Sequence, residues 1–211
     1  MQYNDQIIGL EGEHIQAARI ISRLTPAPLI NLYVGIIIAY TSPIGLGPIL
    51  DPSGSIIICL VFMVILPVSP IIFSAMRGST DLDVSERVNR HGFFIFAILC
   101  YVLSYVVYAI FQCDVMRILS AAYITVTTGV LLSNTISKIS VHGAGVGGPG
   151  TALIFYYGLI ALPVIVLWIL VVWSRVKLKQ HSLPQAIGGV ALGMIITTAT
   201  YVTLYVPIVH L

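Results

Sequence analysis

Long apolar runs separated by short polar breaks are the feature that most constrains the fold of this chain. Six such runs, each with at most one charged residue, cover 29–47, 55–76, 92–111, 115–136, 151–173 and 186–209. About 20 apolar residues are enough for a helix to cross the hydrocarbon core of a bilayer, and the strands of a membrane barrel would instead alternate in polarity. The sequence therefore predicts an all-α integral membrane protein, a polytopic helical bundle of about six to seven transmembrane helices.

Composition supports this class and excludes others. Hydrophobic residues make up 58% of the 211 residues and charged residues 9%, whereas soluble domains carry about 25% charged residues. The net charge of +2 is too small to indicate a nucleic acid partner, and the three cysteines show none of the spacings of a zinc site. We therefore expect membrane lipids around the protein, no nucleic acid, no metal ion and no cofactor.

Residues 1–25 differ from the rest of the chain because isoleucines and leucines are mixed with charged side chains there. This pattern is typical of an amphipathic helix that lies on the membrane surface, although a solvated tail would have a similar composition. Pro26 and Pro28 then end the segment. The predicted organisation is an interfacial segment, 1–25, followed by a polytopic helical membrane domain, 26–211.

The most basic run of the chain, 174–185, lies between the last two apolar runs. Arg175 can grip a phosphate through its forked donors, and His181 can act as a nucleophile or as an acid–base group. If a helix begins near His181, Gln185 lies one turn along on the same face, where its carbonyl can accept a ring N–H. The alternative is a belt of basic side chains that snorkel at a membrane surface.

A second polar stretch, 137–150, carries Lys138, Ser140 and His142 ahead of its five glycines. Backbone N–H groups at the start of a helix attract anions, so this stretch is a second candidate for binding phosphate. The alternative is a flexible glycine turn in which His142 has no chemical role. The polar loop 77–90 adds Arg87 and Arg90 as candidate cations.

The run 151–173 leaves two topologies open. As a single span it would place His142 and His181 on opposite faces of the membrane. If the chain instead folds back between Gly158 and Pro163, which are turn-forming residues, both histidines return to the same face. Hydropathy alone favours the single span.

The spacing of these polar residues resembles the motifs of the type 2 phosphatidic acid phosphatase superfamily. The third motif of that superfamily is Ser-Arg, five residues, His, three residues and Asp. The same spacing is kept by Ser174, Arg175, His181 and Gln185, with Gln in place of Asp. The resemblance implies a helical hairpin between the second and third motifs, and therefore a fold-back near Gly158.

The second motif, Pro-Ser-Gly-His, is matched at Ser140 and His142. The first motif, Lys, six residues and Arg-Pro, has only Arg87 and Arg90 in the corresponding loop. The resemblance covers roughly residues 77 to 200 and rests mainly on the third motif. Divergent members of the superfamily have His and Gln in that motif.

The resemblance implies phosphoryl transfer without a metal ion, in which His181 attacks phosphorus and forms a phosphohistidine. His142 would protonate the leaving alcohol, and Gln185 would orient the His181 ring. Cationic and polar side chains would hold the phosphoryl oxygens and stabilise the transition state. The residues in this substrate-binding set are Arg175, Lys138, Ser140, Arg87, Arg90 and Ser174.

The substrate implied in this way is a lipid phosphate or an isoprenoid pyrophosphate. Two alternatives stay open. One is a catalytically degenerate relative that serves as a structural or lipid-binding subunit of a membrane complex, and the other is an unrelated transporter or channel. Because Lys and Arg near membrane ends favour the cytoplasm, we expect the N-terminus and the site to face the cytoplasm, with the protein in the cell membrane.

Overall fold

The computed structural model describes residues 3–86 and 90–209, and this part of the chain contains helices and no strand. Besides the α-helices it contains a π-helical stretch, Leu60–Ile65, and a 3₁₀ turn, Gly158–Ala161. The helices are α1 (Asn4–Ile7), α2 (Ile15–Leu24), α3 (Ala27–Thr41), α4 (Pro52–Cys59), α5 (Leu66–Met76), α6 (Arg90–Ile110), α7 (Asp114–Ile136), α8 (Val141–Tyr157), α9 (Val164–Lys177), α10 (Leu183–Leu204) and α11 (Val206–Val209).

Five helical segments of the described chain are long and apolar enough to cross a membrane: Pro52–Met76, Arg90–Ile110, Asp114–Ile136, Val141–Ala161 and Leu183–Leu204. The expected first span, 29–47, is not among these segments, because α3 ends at Thr41. It reaches the required length only together with α2, from which it is bent by 58°. The protein is therefore all-helical with the character of a multi-pass membrane protein.

The expected run 151–173 is broken, so the single span favoured by hydropathy is wrong. Helix α8 ends where Gly158 adopts a φ of 58°, a left-handed value that glycine reaches without steric cost. The chain then reverses, and the Trp168 indole N–H of α9 donates to the Val146 carbonyl of α8 at 2.8 Å. This hairpin brings the start of α8 and the end of α9 to the same end of the bundle.

Helices α8 and α10 approach so closely that side chains are excluded between them. A Cβ atom on Gly147 would lie 2.4 Å from the Val190 carbonyl oxygen, and one on Gly193 would lie 2.7 Å from the Ala144 carbonyl oxygen. Small residues allow membrane helices to pack backbone against backbone, which gains dispersion contacts that lipid cannot replace. The glycines of α8 thus serve helix packing, and the flexible glycine turn considered for 137–150 is wrong because all of them lie inside the helix.

Prolines interrupt the hydrogen bonding of the segment Pro52–Met76. Pro67 has no N–H to offer the carbonyl four residues earlier, and that carbonyl, of Met63, accepts the Asn31 side-chain N–H at 2.9 Å instead. Pro70 likewise leaves the Leu66 carbonyl free, and the Ser69 hydroxyl donates to it at 2.8 Å. Asn31 therefore joins α3 to the segment Pro52–Met76 beside Pro67.

The N-terminal segment packs on the hairpin through α2. Ile15 and Ala18 of α2 form a small buried cluster with Leu178 at the end of α9. On the other side of α2, Ile20 and Leu24 are exposed, which gives the helix the amphipathic character expected of residues 1–25. The interfacial position of this segment stays a prediction.

Substituting Gly147 with Ala should destabilise the protein, because the added methyl group would meet backbone of α10 that cannot move alone. We expect a loss of about 1–3 kcal/mol in the free energy of unfolding, as for other overpacked sites. Gly92→Ala is the matched control, since that helical glycine has nothing within 4 Å of the added Cβ. Thermal unfolding in detergent measures both variants, and equal midpoints would contradict the close packing of α8 on α10.

Candidate active site

A cluster of polar side chains lies where α8, α9 and α10 meet at one end of the bundle. His142 is in the first turn of α8, Arg175 is in the last turn of α9, and His181 lies in the loop before α10. The backbone N–H of Ser140 donates to the Gln185 carbonyl at 3.2 Å, so the entry to α8 is fastened to the first turn of α10. The structure thus brings the two sequence-predicted histidines together.

Two of the predicted site residues, Ser140 and Gln185, take part in helix caps. Ser140 begins α8, and its hydroxyl oxygen accepts the Gly143 N–H at 3.0 Å. Ser182 begins α10 in a capping box, in which the Gln185 side-chain oxygen accepts the Ser182 N–H at 3.1 Å. These caps satisfy N–H groups that have no partner within the helix. The Gln185 side-chain oxygen is thereby used in the cap of α10, and its predicted bond to the His181 ring stays a prediction.

His181 is 7% exposed, and its Nδ1 atom has no hydrogen-bond partner among the described residues. Burial lowers the pKa of its imidazole to about 3, and the positive charges of Arg175, Arg90 and Lys138 act in the same direction. The side chain of Gln185 opposes them more weakly by hydrogen bonding. The ring is therefore neutral at physiological pH, which leaves a nitrogen lone pair available for attack.

Arg175 is held by the protein itself. It is 3% exposed, and its Nη2 donates to the Asp83 carboxylate at 3.0 Å while its Nη1 donates to the Ser22 hydroxyl at 2.6 Å. Its Nε is buried without a partner in the described chain. The other carboxylate oxygen of Asp83 accepts the backbone N–H of Asn4 at 3.2 Å. The expected phosphate-gripping group is thus paired with an internal carboxylate.

The remaining predicted cations surround this pair. Arg90 donates through Nε to the Val84 carbonyl at 2.7 Å, and its buried Nη1 finds no partner among the described residues. Lys138 is half-buried, and burial lowers its pKa, followed by the charges of Arg90 and Arg175, whereas Asp81 and Asp83 raise it. The predicted ligand Arg87 lies outside the described residues.

Ser174 is turned away from this cluster. Its side chain is fully buried, and its hydroxyl donates to the Ala18 carbonyl of α2 at 2.7 Å. The hydroxyl therefore joins α9 to the N-terminal segment. The structure places Ser174 in a packing contact beside the expected phosphate site.

An apolar cavity of about 560 Å³ opens beside the cluster. Its polar end is formed by Ser22, Asp83, Arg90 and His142. Arg175 and His181 are not among the described residues that line it. Arg175 contacts the cavity wall through its hydrogen bonds to Ser22 and Asp83. The remainder is mostly apolar and comes from several helices, with Leu29, Val68, Ile71, Phe94, Val126 and Val130 among its walls. This combination fits a molecule with a charged head and a hydrocarbon chain.

Three features of the site were not predicted from the sequence. The acidic loop was visible in the sequence, but nothing there paired Asp83 with Arg175 across 92 positions. Ser22 lies in a segment with no recognisable motif, and a cavity shared by several helices has no local sequence signal.

Within the described residues, no group of three or more metal-binding side chains occurs.

No known protein family, curated protein or solved structure matches this chain.

The depressed pKa of His181 has a consequence for stability. Between the ordinary value of 6.5 and about 3, the unfolded chain binds a proton that the folded protein does not, so acid favours unfolding through this group. The wild type should lose up to about 1.4 kcal/mol per pH unit below 6.5 relative to His181→Gln. Unfolding midpoints of both proteins, compared from about pH 7.5 to about pH 4.5, measure this. A difference that stays constant with pH would contradict a buried neutral His181.

Proposed function

We propose that this protein is a membrane lipid phosphatase or pyrophosphatase of the kind found in the type 2 phosphatidic acid phosphatase superfamily. The observation that supports it most is the hairpin at Gly158, because it brings His142 and His181 to one end of the bundle. Three cations, Arg90, Lys138 and Arg175, lie within electrostatic reach of His181 there. The apolar cavity beside them suits the chain of a lipid phosphate or an isoprenoid pyrophosphate.

The proposed reaction has two steps. An imidazole nitrogen of His181 attacks phosphorus, an N–P bond forms, and the bond from phosphorus to the leaving oxygen breaks. His142 gives the leaving group its proton. Water then attacks the phosphohistidine, His142 takes a proton from that water, and inorganic phosphate leaves as His181 is restored.

The surrounding residues supply the electrostatic part of catalysis. Arg90 and Arg175 each keep a buried guanidinium N–H without a partner in the described chain, and such donors stabilise charge that develops on phosphoryl oxygens. Gln185 orients the His181 ring but contributes no negative charge to stabilise an imidazolium. In the serine protease triad, replacing the carboxylate by an amide costs about 10⁴ in rate. The enzyme is therefore proposed to be slow.

A second candidate is a catalytically inactive, lipid-binding subunit of a membrane complex. The observation in its favour is that two of the donor groups of Arg175 are already satisfied by Asp83 and Ser22. In that case the polar cluster serves stability, and the cavity holds a lipid that is not converted.

The proposal includes a position and an orientation, with the N-terminus and the site facing the cytoplasm from the cell membrane. The basic residues support it, because they gather at the end of the bundle that carries the site while Arg117 lies near the opposite end. Excluding the proposed phosphate ligands, five basic residues remain at the site end: Arg19, Arg23, Arg77, Lys177 and Lys179.

Purified protein in detergent should release phosphate from a lipid phosphomonoester in the presence of a metal chelator. His181→Ala should abolish the release, since it removes the nucleophile, and His142→Ala should slow it by about 10²–10⁴ because the general acid is lost. His14→Asn is the matched control, since His14 is an exposed histidine with a side chain 63% accessible and Asn tolerates its φ of 63°.

Normal turnover by His181→Ala would exclude the phosphohistidine mechanism. If the wild type binds the lipid phosphate in the same preparation but releases no phosphate, the second candidate is correct. Phosphate release is measured directly, so that the result does not depend on a coupled enzyme.

Orientation can be measured with single cysteines in a protein whose Cys59, Cys100 and Cys113 are replaced by Ala. Lys177→Cys, at the site end, should resist an impermeant thiol reagent on intact cells and react after lysis. Ile49→Cys is the control at the opposite end, where the neighbouring Gly47 packs on Gln112, and it should react on intact cells. Labelling of Lys177→Cys without lysis would show the opposite orientation.

A further inference from the structure

The contacts of Asp83 separate Arg175 from the cavity. Asp83 and Ser22 both line the cavity, and both accept hydrogen bonds from Arg175, which lies behind them. The Asp83 side chain is only 4% exposed. A head group that enters through the cavity therefore meets the Asp83 carboxylate before it meets Arg175.

The segment that carries Asp83 is attached to the bundle at Asp83 and at Val84, whose carbonyl accepts the Arg90 Nε–H at 2.7 Å. It has turns but no helix between Met76 and Glu86. Asp83 itself is held by Arg175 and by the Asn4 N–H, and the next residue, Val84, has a φ of 46°, which is a strained value for a β-branched side chain. An anion that takes over the bonds to Arg175 therefore displaces a side chain carried by a loop and not by a helix.

Displacing a carboxylate from an arginine requires an anion that binds the arginine better. A lipid phosphodiester carries one negative charge, as Asp83 does, and gains little by the exchange. A phosphomonoester carries about −1.5 to −2 at pH 7 and has three acceptor oxygens. It can occupy Arg175 and, in addition, use the buried donors of Arg175 Nε and Arg90 Nη1 that have no partner among the described residues.

We propose that Asp83 determines specificity by competing for Arg175, so that lipids with a phosphomonoester or pyrophosphate head group enter and the phosphodiester lipids of the bulk membrane do not. This inference rests on the proposed function only for the identity of the site. A protein surrounded by phosphodiester lipids benefits from such a barrier, because specificity requires exclusion of the abundant competitor as well as affinity for the substrate.

The test compares the binding of two probe lipids with identical acyl chains, phosphatidate and phosphatidylglycerol. Binding is measured by the shift of the unfolding midpoint in detergent across a lipid titration. All proteins carry His181→Ala, so that phosphatidate is not consumed. The variants are Asp83→Asn, which removes the charge, and Asp83→Glu, which keeps it. The matched control is Asp114→Asn, because Asp114 also pairs with an arginine, Arg117, at 2.6 Å.

With Asp83 present, phosphatidate should bind at least about tenfold more tightly than phosphatidylglycerol. Asp83→Asn should bind phosphatidylglycerol about tenfold more tightly than before and so lose most of the discrimination. Asp83→Glu and Asp114→Asn should keep it. Inorganic phosphate at the same concentrations should stabilise the protein less than phosphatidate, because it places no chain in the cavity.

Unchanged discrimination in a folded Asp83→Asn protein would overturn the proposal. Equal affinity of the parent protein for both lipids would also overturn it, and this measurement does not depend on whether Asp83→Asn folds. Inorganic phosphate that stabilises as well as phosphatidate would overturn the assignment to a lipid. Because binding is measured without turnover, these results are independent of whether the wild type releases phosphate.

Discussion

The backbone contact between α8 and α10 is the interaction on which the site depends. Glycines on both helices remove the side chains that would hold the two backbones apart, and a Cβ on Gly189 would lie 2.4 Å from the Ser140 carbonyl oxygen. At the end of this contact the Ser140 N–H donates to the Gln185 carbonyl. His142 and His181 lie close in the chain to these two residues, so their positions depend on the contact. A wider separation of the two helices would move the histidines apart even if the hairpin persisted.

The charged cluster at the end of this contact is stable only as a unit. Arg175 is buried with Asp83, and burial makes an unpaired charge costly while it strengthens a well-formed pair. The same low-dielectric surroundings keep His181 neutral. A change to any one of these charges therefore alters the protonation or position of the others, so their effects on stability and on lipid binding are not additive.

The apolar spans and the polar cluster could be predicted from the sequence, because both depend on local composition and short spacings. Arg175, His181 and Gln185 lie within 11 residues, and the helix beginning at Leu183 sets their relation. The partner of Arg175 could not be predicted, since many carboxylates of the chain satisfy the same chemistry. The span 29–47 was wrong in extent because hydropathy does not detect the turn after Thr41, where Gly45 and Gly47 adopt positive φ.

Asn31 has a consequence for the biogenesis of the protein. Its amide donates to the Met63 carbonyl and to the Tyr101 hydroxyl, and both acceptors belong to helices that are synthesised after α3. In hydrocarbon an amide without a partner is costly, so α3 is poorly suited to rest alone in the bilayer. We therefore expect its stable integration to follow the synthesis of Pro52–Met76, whose Met63 carbonyl accepts the amide.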